Sequence, residues 1–417
     1  MTSWYKLDNV GHLYACVANS KWSGIFRLSA VLQQKVNQNI LQQALDCTMS
    51  KFDFHNVRLR SGIFWHYFEP NKKKIVVQNE CNYPCSLMDV NRQRHLLRVL
   101  YHNCRISVEF FHAICDGGGG WLFFNCLLHK YLVLCGHCDG LDDCIKFIDY
   151  DKENFDAFKS TADLHFGKLC RKTPKAYLID YKTCQSDGYW LTHGEMNTNL
   201  LKALAKKYSV KVGQLLTAVL AFGIYLYKQD RSKKLFAKKN EPVVVNVSYD
   251  LRKKFGVSAL RNFFSYALFE LSDKKHTLDS VIAEVADFYK KIDSDYLLKA
   301  INTNVRDQQK LFNRLVPLCI KKPLINYAYN AWGEKLASIS FSNYGNADVP
   351  ACFANHIVRL ESANGVAKVG RVLECSSVSF NDKTVLTFCS KSKDTLVERI
   401  VFGQLVELGL QVGVVRN

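Results

Sequence analysis

Two hydrophobic periods alternate along this chain. Residues 23–28, 63–69, 74–78, 96–101 and 104–111 carry β-type runs, while 38–51 and 118–135 read as helices. Asp139 to Phe158, acidic and aromatic, reads as a surface excursion, and the polar stretch 166–188 as a linker. A second unit opens on the strand Tyr189 to Glu195, after which Asn197 stands where a helix N-cap belongs. Leu200, Leu201, Leu204 and Ala205 give that helix one apolar face. A buried helix over 211–229 and a buried strand over 243–247 follow. Further strands are predicted within 262–271, 337–343, 375–380 and 384–390, then a helix near 393–408 and a β-like tail. Strands alternating with helices twice over predict an α/β protein of two mixed sheets covered by helices, one in 1–165 and the other in 189–417.

The junction between 104–111 and 118–135 carries the clearest chemistry. His112-Ala113-Ile114-Cys115-Asp116-Gly117 spells HxxxDG, and Gly117 to Gly120 follow without interruption. A strand end feeding a glycine-rich turn presents a side chain to a cleft and lets backbone approach a substrate closely. A neutral imidazole is matched to removing a proton near pH 7, which makes His112 a candidate general base. The motif alone is also compatible with a core histidine. Asp116, one turn on, is suited to an ion pair that pins the loop.

Other segments narrow the choice. They are Trp4 to Asn9, Phe26 to Ser29, Gly62 to Tyr67, Pro84-Cys85, Tyr249 to Phe255, Leu260 to Tyr266 and Ser342-Asn343-Tyr344-Gly345. With HxxxDG, in this order and over nearly the whole chain, they resemble the bacterial alcohol acetyltransferase-like proteins of the chloramphenicol acetyltransferase and condensation-domain superfamily. The resemblance implies two lobes of one topology with an active-site tunnel between them. It implies acyl transfer by His112, with Gly117 completing the motif and Asp116 turned away from the tunnel toward an arginine of the other half. Arg252 is the first candidate for that partner and Arg261 the second. Asn343 is placed to donate to an oxyanion, or equally to shape an Asn-x-Gly turn. Cys115, beside the imidazole, is either a nucleophile or an apolar filler, and the resemblance favours the filler. The expected cosubstrate is an acyl-CoA, with no permanently bound cofactor and a small alcohol or amine as acceptor. An acyl carrier protein as donor and a non-catalytic carrier-binding module are the alternatives, and a monomer is expected.

Composition agrees with a globular enzyme: 417 residues, 48% hydrophobic and 23% charged. No leader pattern opens the chain and no apolar run is long enough to span a bilayer, so a cytoplasmic protein without membrane insertion is expected. The 16 cysteines, scattered through apolar segments, are expected as reduced thiols. Cys135-Gly136-His137-Cys138 lacks a second pair at zinc spacing, so no metal is expected. A net charge of +18 favours polyanionic partners. No nucleic-acid motif accompanies it, whereas coenzyme A phosphates or an acidic carrier would suit. Lys233 and Lys234, in the basic knot from Lys228 to Lys239, are the candidate donor contacts, a solvated loop being the alternative.

Overall fold

The computed structural model describes residues 4–19, 22–88, 95–137, 154–170, 175–179, 189–232, 241–367 and 370–417. Two sheets dominate. The first runs Ile357–Asn364, Ile25–Leu32, Arg105–Phe111, Leu97–His102 and Gln78–Asn79, antiparallel except for its last, parallel pair. The second has seven strands, in the order Phe264–Leu271, Val243–Asp250, Ile339–Asn346, Leu373–Phe380, Lys383–Ser390, Trp190–Asn197 and Gly413–Arg416. Its second and third pairings, Val243–Asp250 with Ile339–Asn346 and Ile339–Asn346 with Leu373–Phe380, are parallel. A three-stranded sheet of Tyr5–Lys6, His66–Pro70 and Val57–Ser61 sits beside the first lobe.

The expected division into 1–165 and 189–417 needs one correction. Ile357–Asn364 belongs by sequence to the second half, yet it pairs along Ile25–Leu32 with Leu360 opposite Ala30. The first sheet is therefore completed by the second half of the chain.

Arg105–Phe111 is buried on both faces, for different reasons. Ile106, Val108 and Phe110 are fully buried in the core under the helices Gln38–Met49 and Gly117–Leu134. Ser107 and Glu109, equally buried, face an ionic layer instead. There Arg27 donates to Glu109 (2.9 Å), Glu80 (2.6 Å) and Ser107 (2.7 Å), so no charge is left unpaired on that side. Removing one member would strand its partner at a cost of about 3–5 kcal/mol.

Asn197 caps the helix Thr198–Lys207 as expected, its side chain accepting from Leu200 N at 2.9 Å. Three helical regions go beyond the sequence reading. Asp8 caps Asn9–Val17, Thr277 forms a capping box on Leu278–Lys290, and Asp293 caps Ser294–Gln309. A further helix, Leu318–Ala331, tolerates Pro323 inside it. The end of the expected surface excursion is also internal, since Ala157–Thr161 is helical and Phe158 is buried edge-on to Phe263 at 5.4 Å. No single described helix is long and apolar enough to cross a membrane.

Candidate active site

His112 follows the last residue of Arg105–Phe111, and its backbone N–H donates to Gly24 O at 2.9 Å. Asp116 is the N-cap of Gly117–Leu134, accepting from Gly119 N at 3.0 Å. The HxxxDG turn thus spans the gap between strand end and helix start. Its glycines allow the crowding there. A Cβ on Gly119 would lie 2.0 Å from Leu260 O, a backbone atom of the other lobe, and one on Gly117 would lie 2.8 Å from the Tyr344 hydroxyl.

The imidazole is held from three sides. Tyr14, on the helix Asn9–Val17, stacks on it with ring centroids 4.1 Å apart and planes 4° from parallel. Phe26 and Phe264 pack against it from either lobe. Its Nδ1 lies 3.2 Å from Asn262 Oδ1, and Asn262 Nδ2 points at the buried Asp8 carboxylate at 3.3 and 3.4 Å. A carboxylate accepts only, so it fixes the Asn262 amide with its oxygen toward His112, and Nδ1 must carry the proton. Nε2 is then the basic nitrogen. Burial pushes the His112 pKa below its usual 6.5, against the pull of Asp116 and Asn262, so the ring is neutral at pH 7. Asp8 is itself pushed up to about 6, by burial first, with Arg261 pulling the other way.

His112 lines a cavity of about 490 Å³ between the lobes. Tyr14, Trp22 and Phe26 come from the first half of the chain, and Phe264, Tyr266, Ser340, Ser342, Arg371 and Glu374 from the second. Asp116 takes no part in its wall. Arg252 Nη2 and Nη1 meet the two Asp116 oxygens at 2.8 and 3.0 Å, and Phe263 N donates to the same carboxylate at 2.6 Å. Burial raises the Asp116 pKa, but the Arg252 charge and these hydrogen bonds outweigh it and hold the group below the ordinary carboxylate range. Arg261, the second candidate, lies instead 3.6 Å from Asp8 and donates to Lys6 O at 2.6 Å.

Asn343 requires a correction. Its side chain is exposed, and Oδ1 accepts from Gly345 N (2.9 Å) and Ser377 Oγ (3.0 Å), which is the turn reading. Along Ile339–Asn346 side chains alternate, so Ser340 and Ser342 face the cavity and Asn343 faces away. Cys115 is fully buried and absent from the cavity wall, and burial raises its pKa well above 9, so it is no thiolate nucleophile. Lys233, Lys234 and Cys138 lie outside the described residues. No three His, Cys, Asp or Glu among the described residues form a metal site, and His137 stacks on His356 at 3.7 Å.

The sequence reading assigned no catalytic role to Asp8, Tyr14 or Asn262. The signal available was Asp8 directly before a helical pattern, a capping position that also delivers a carboxylate to Asn262.

No protein-family model and no curated protein sequence matches this chain. Solved structures do match, over nearly full length at low identity. Trichothecene 15-O-acetyltransferase from Fusarium sporotrichioides aligns with a TM-score of 0.62 at 9% identity, covering 97% of this chain and 94% of its own. The starter condensation domain of rhizomide synthetase in complex with C8-CoA gives 0.61 at 10%, covering 98% and 95%. Polyketide synthase associated protein 5 from Mycobacterium tuberculosis gives 0.60 at 11%, covering 96% of each chain. Two sheet-and-helix lobes, a cavity at their joint and these neighbours agree: the chain has the fold shared by these acetyltransferase and condensation-domain structures.

Proposed function

We propose that this protein transfers an acyl group from an acyl-CoA to a hydroxyl or amine acceptor in a ternary complex, with His112 Nε2 as general base. The observation that carries the reading is the relay Asp8–Asn262–His112, which sets the tautomer and leaves Nε2 at a cavity built from both lobes. Nε2 takes the acceptor proton as the acceptor oxygen or nitrogen attacks the thioester carbon. Collapse of the tetrahedral intermediate expels the thiolate, which receives that proton. A thioester is already activated, so positioning and base catalysis suffice without a covalent enzyme intermediate. Ser342, whose hydroxyl faces the cavity and has no hydrogen-bond partner among the described residues, is the proposed donor to the oxyanion in place of Asn343.

A second, more open cavity of about 520 Å³ lies on the other side of Asn9–Val17 and shares Asn9 with the first. Lys6, Arg314 and Lys159, the last paired with Asp156 at 3.0 Å, line it with no carboxylate in the wall among the described residues, so it suits the phosphates of a pantetheine-bearing donor. The same chemistry would receive a carrier-bound donor, a reading favoured by the condensation domains among the structural neighbours. Thiol release from acetyl-CoA, measured over a panel of alcohols and amines beside His112→Ala, tests the proposal. No release above the variant with any acceptor would overturn it for CoA, and the panel repeated with an acyl-pantetheinyl carrier would then decide the second reading.

A further inference from the structure

The catalytic cavity has a charge opposite to that of the protein around it. In a chain of net +18, its wall carries, among the described residues, Asp307 and Glu374 against a single cation, Arg371. Asp307 sits near the solvent and pairs with Lys310 at the end of its own helix. Glu374 is buried, accepts from Arg371 Nε at 2.6 Å, and has a second buried glutamate, Glu334, behind it. Glu334 is 4% exposed, and neither of its oxygens completes a hydrogen bond of good geometry, although the Tyr329 hydroxyl lies close by. One guanidinium therefore stands against two buried carboxylates. Burial, opposed by Arg371 and reinforced by Glu334, pushes Glu374 up to about 7, as expected where negative charge is under-compensated.

An aromatic wall leads from the imidazole to this cluster. Tyr14 stacks on His112 at 4.1 Å, Trp22 on Tyr14 at 5.4 Å, and Tyr329 lies over Trp22 at 5.3 Å. All four rings line the cavity. Stacked on one another, these rings give an apolar wall that suits a carbon skeleton, and the glutamates beside it suit a positive charge. A neutral alcohol would use the rings and leave Glu374 to take up a proton in place of a ligand cation. An anionic acceptor would meet Arg371 but be repelled by both glutamates.

We infer that the acceptor is an organic cation, an amino alcohol or a diamine, whose ammonium group sits between the Trp22–Tyr329 wall and Glu374 with Glu334 behind, while its hydroxyl or second, neutral amine reaches His112. This deepens the acyltransferase reading and rests on it for the reacting end only. The ammonium stays protonated throughout, and the reacting group loses its proton to Nε2.

The test uses the full chain with aminopentanol and its neutral isostere hexanol. With acetyl-CoA as donor, thiol release is expected to give a KM for aminopentanol at least about tenfold below that for hexanol, the factor carried by one buried charge contact. Glu374→Gln and Glu334→Gln should each bring the ratio of the two KM values toward one. Thermal unfolding of both variants shows whether either has lost its fold, in which case the wild-type ratio and the other variant decide. Binding is read independently of turnover by quenching of tryptophan fluorescence with tetramethylammonium, which must saturate in the wild type, weaken in both glutamate variants and vanish in Trp22→Leu. Equal KM values for the two acceptors, or tetramethylammonium quenching that does not saturate, overturns the cation site. Saturable quenching without thiol release from any acceptor keeps the cation site and overturns the acyl-CoA reading instead.

Discussion

At the scale of single residues, the site is a histidine whose proton is assigned by its neighbours. His112→Ala is expected to lower acyl transfer by about 10² to 10⁴, the range of a general base, with thermal unfolding little changed. Asn262→Ala should cost about 10² in kcat, because a ring no longer held at Nδ1 misplaces Nε2. It should also move the pH profile. The hydrogen bond to Asn262 raises the His112 pKa, so its loss shifts the acid limb of the rate to lower pH. That limb lies below the ordinary histidine value of 6.5, since burial has already lowered the group. Stability moves in the same direction. The unfolded chain binds the His112 proton more readily than the folded one, so acidification below about 6.5 favours unfolding. Asp116 adds to this at lower pH, because a carboxyl held below its ordinary 3.8 contributes stability above that value and loses it as pH falls further. Asp116→Asn should cost about 3–5 kcal/mol by stranding Arg252, and a double change with Arg252→Met should cost less than the two single changes summed. Strict additivity in chemical denaturation would remove Arg252 as the partner.

Elements show where sequence patterns speak and where they fall silent. The strand Arg105–Phe111 and the helix after it were legible because a β-type run, a glycine turn and an apolar helix follow one another without interruption. Asn9–Val17 was not, since its nine residues are too few for a 3.6 period to stand out, and only the cap at Asp8 marked it. Leu278 to Ala331 carries four helices with little apolar density, which hid them although Thr277 and Asp293 stood at the caps. Asn343 was misplaced for another reason: the strand was read correctly, but its parity, which puts Ser342 and not Asn343 on the cavity side, depends on the sheet and not on local pattern. Ile357–Asn364 escaped notice because its partner lies more than 300 residues earlier in the chain. Two glycine changes test the packing of elements. Gly119→Ala forces a Cβ to within 2.0 Å of the Leu260 carbonyl and should cost at least about 1–3 kcal/mol. Gly403→Ala, in the helix Leu396–Glu407 with nothing within 4 Å of the added methyl, should gain about 0.5–1 kcal/mol in the same thermal melts.

For the whole molecule, the exchanged strand makes the halves interdependent. A polypeptide of residues 1–188 lacks the edge strand that covers Ile25–Leu32, so alone it is expected to show no cooperative unfolding and to regain it on mixing with 189–417. Cooperative melting of the first fragment by itself would contradict this. The joint has a kinetic corollary. Ile357–Asn364 is bonded along the first sheet, the Asp116–Arg252 pair clamps the HxxxDG turn to the other lobe, and Gly119 is wedged under Leu260. These attachments lie at two places, the sheet edge and the HxxxDG turn, and together they resist swinging of the lobes. For the proposed acyl transfer, lobes tied in this way favour reactants that thread in lengthwise over enclosure by a closing jaw. Threading of that kind requires no closure of the lobes before acyl transfer. It also lets a reactant tethered to something bulky extend a slender arm to the imidazole while its body stays in solvent.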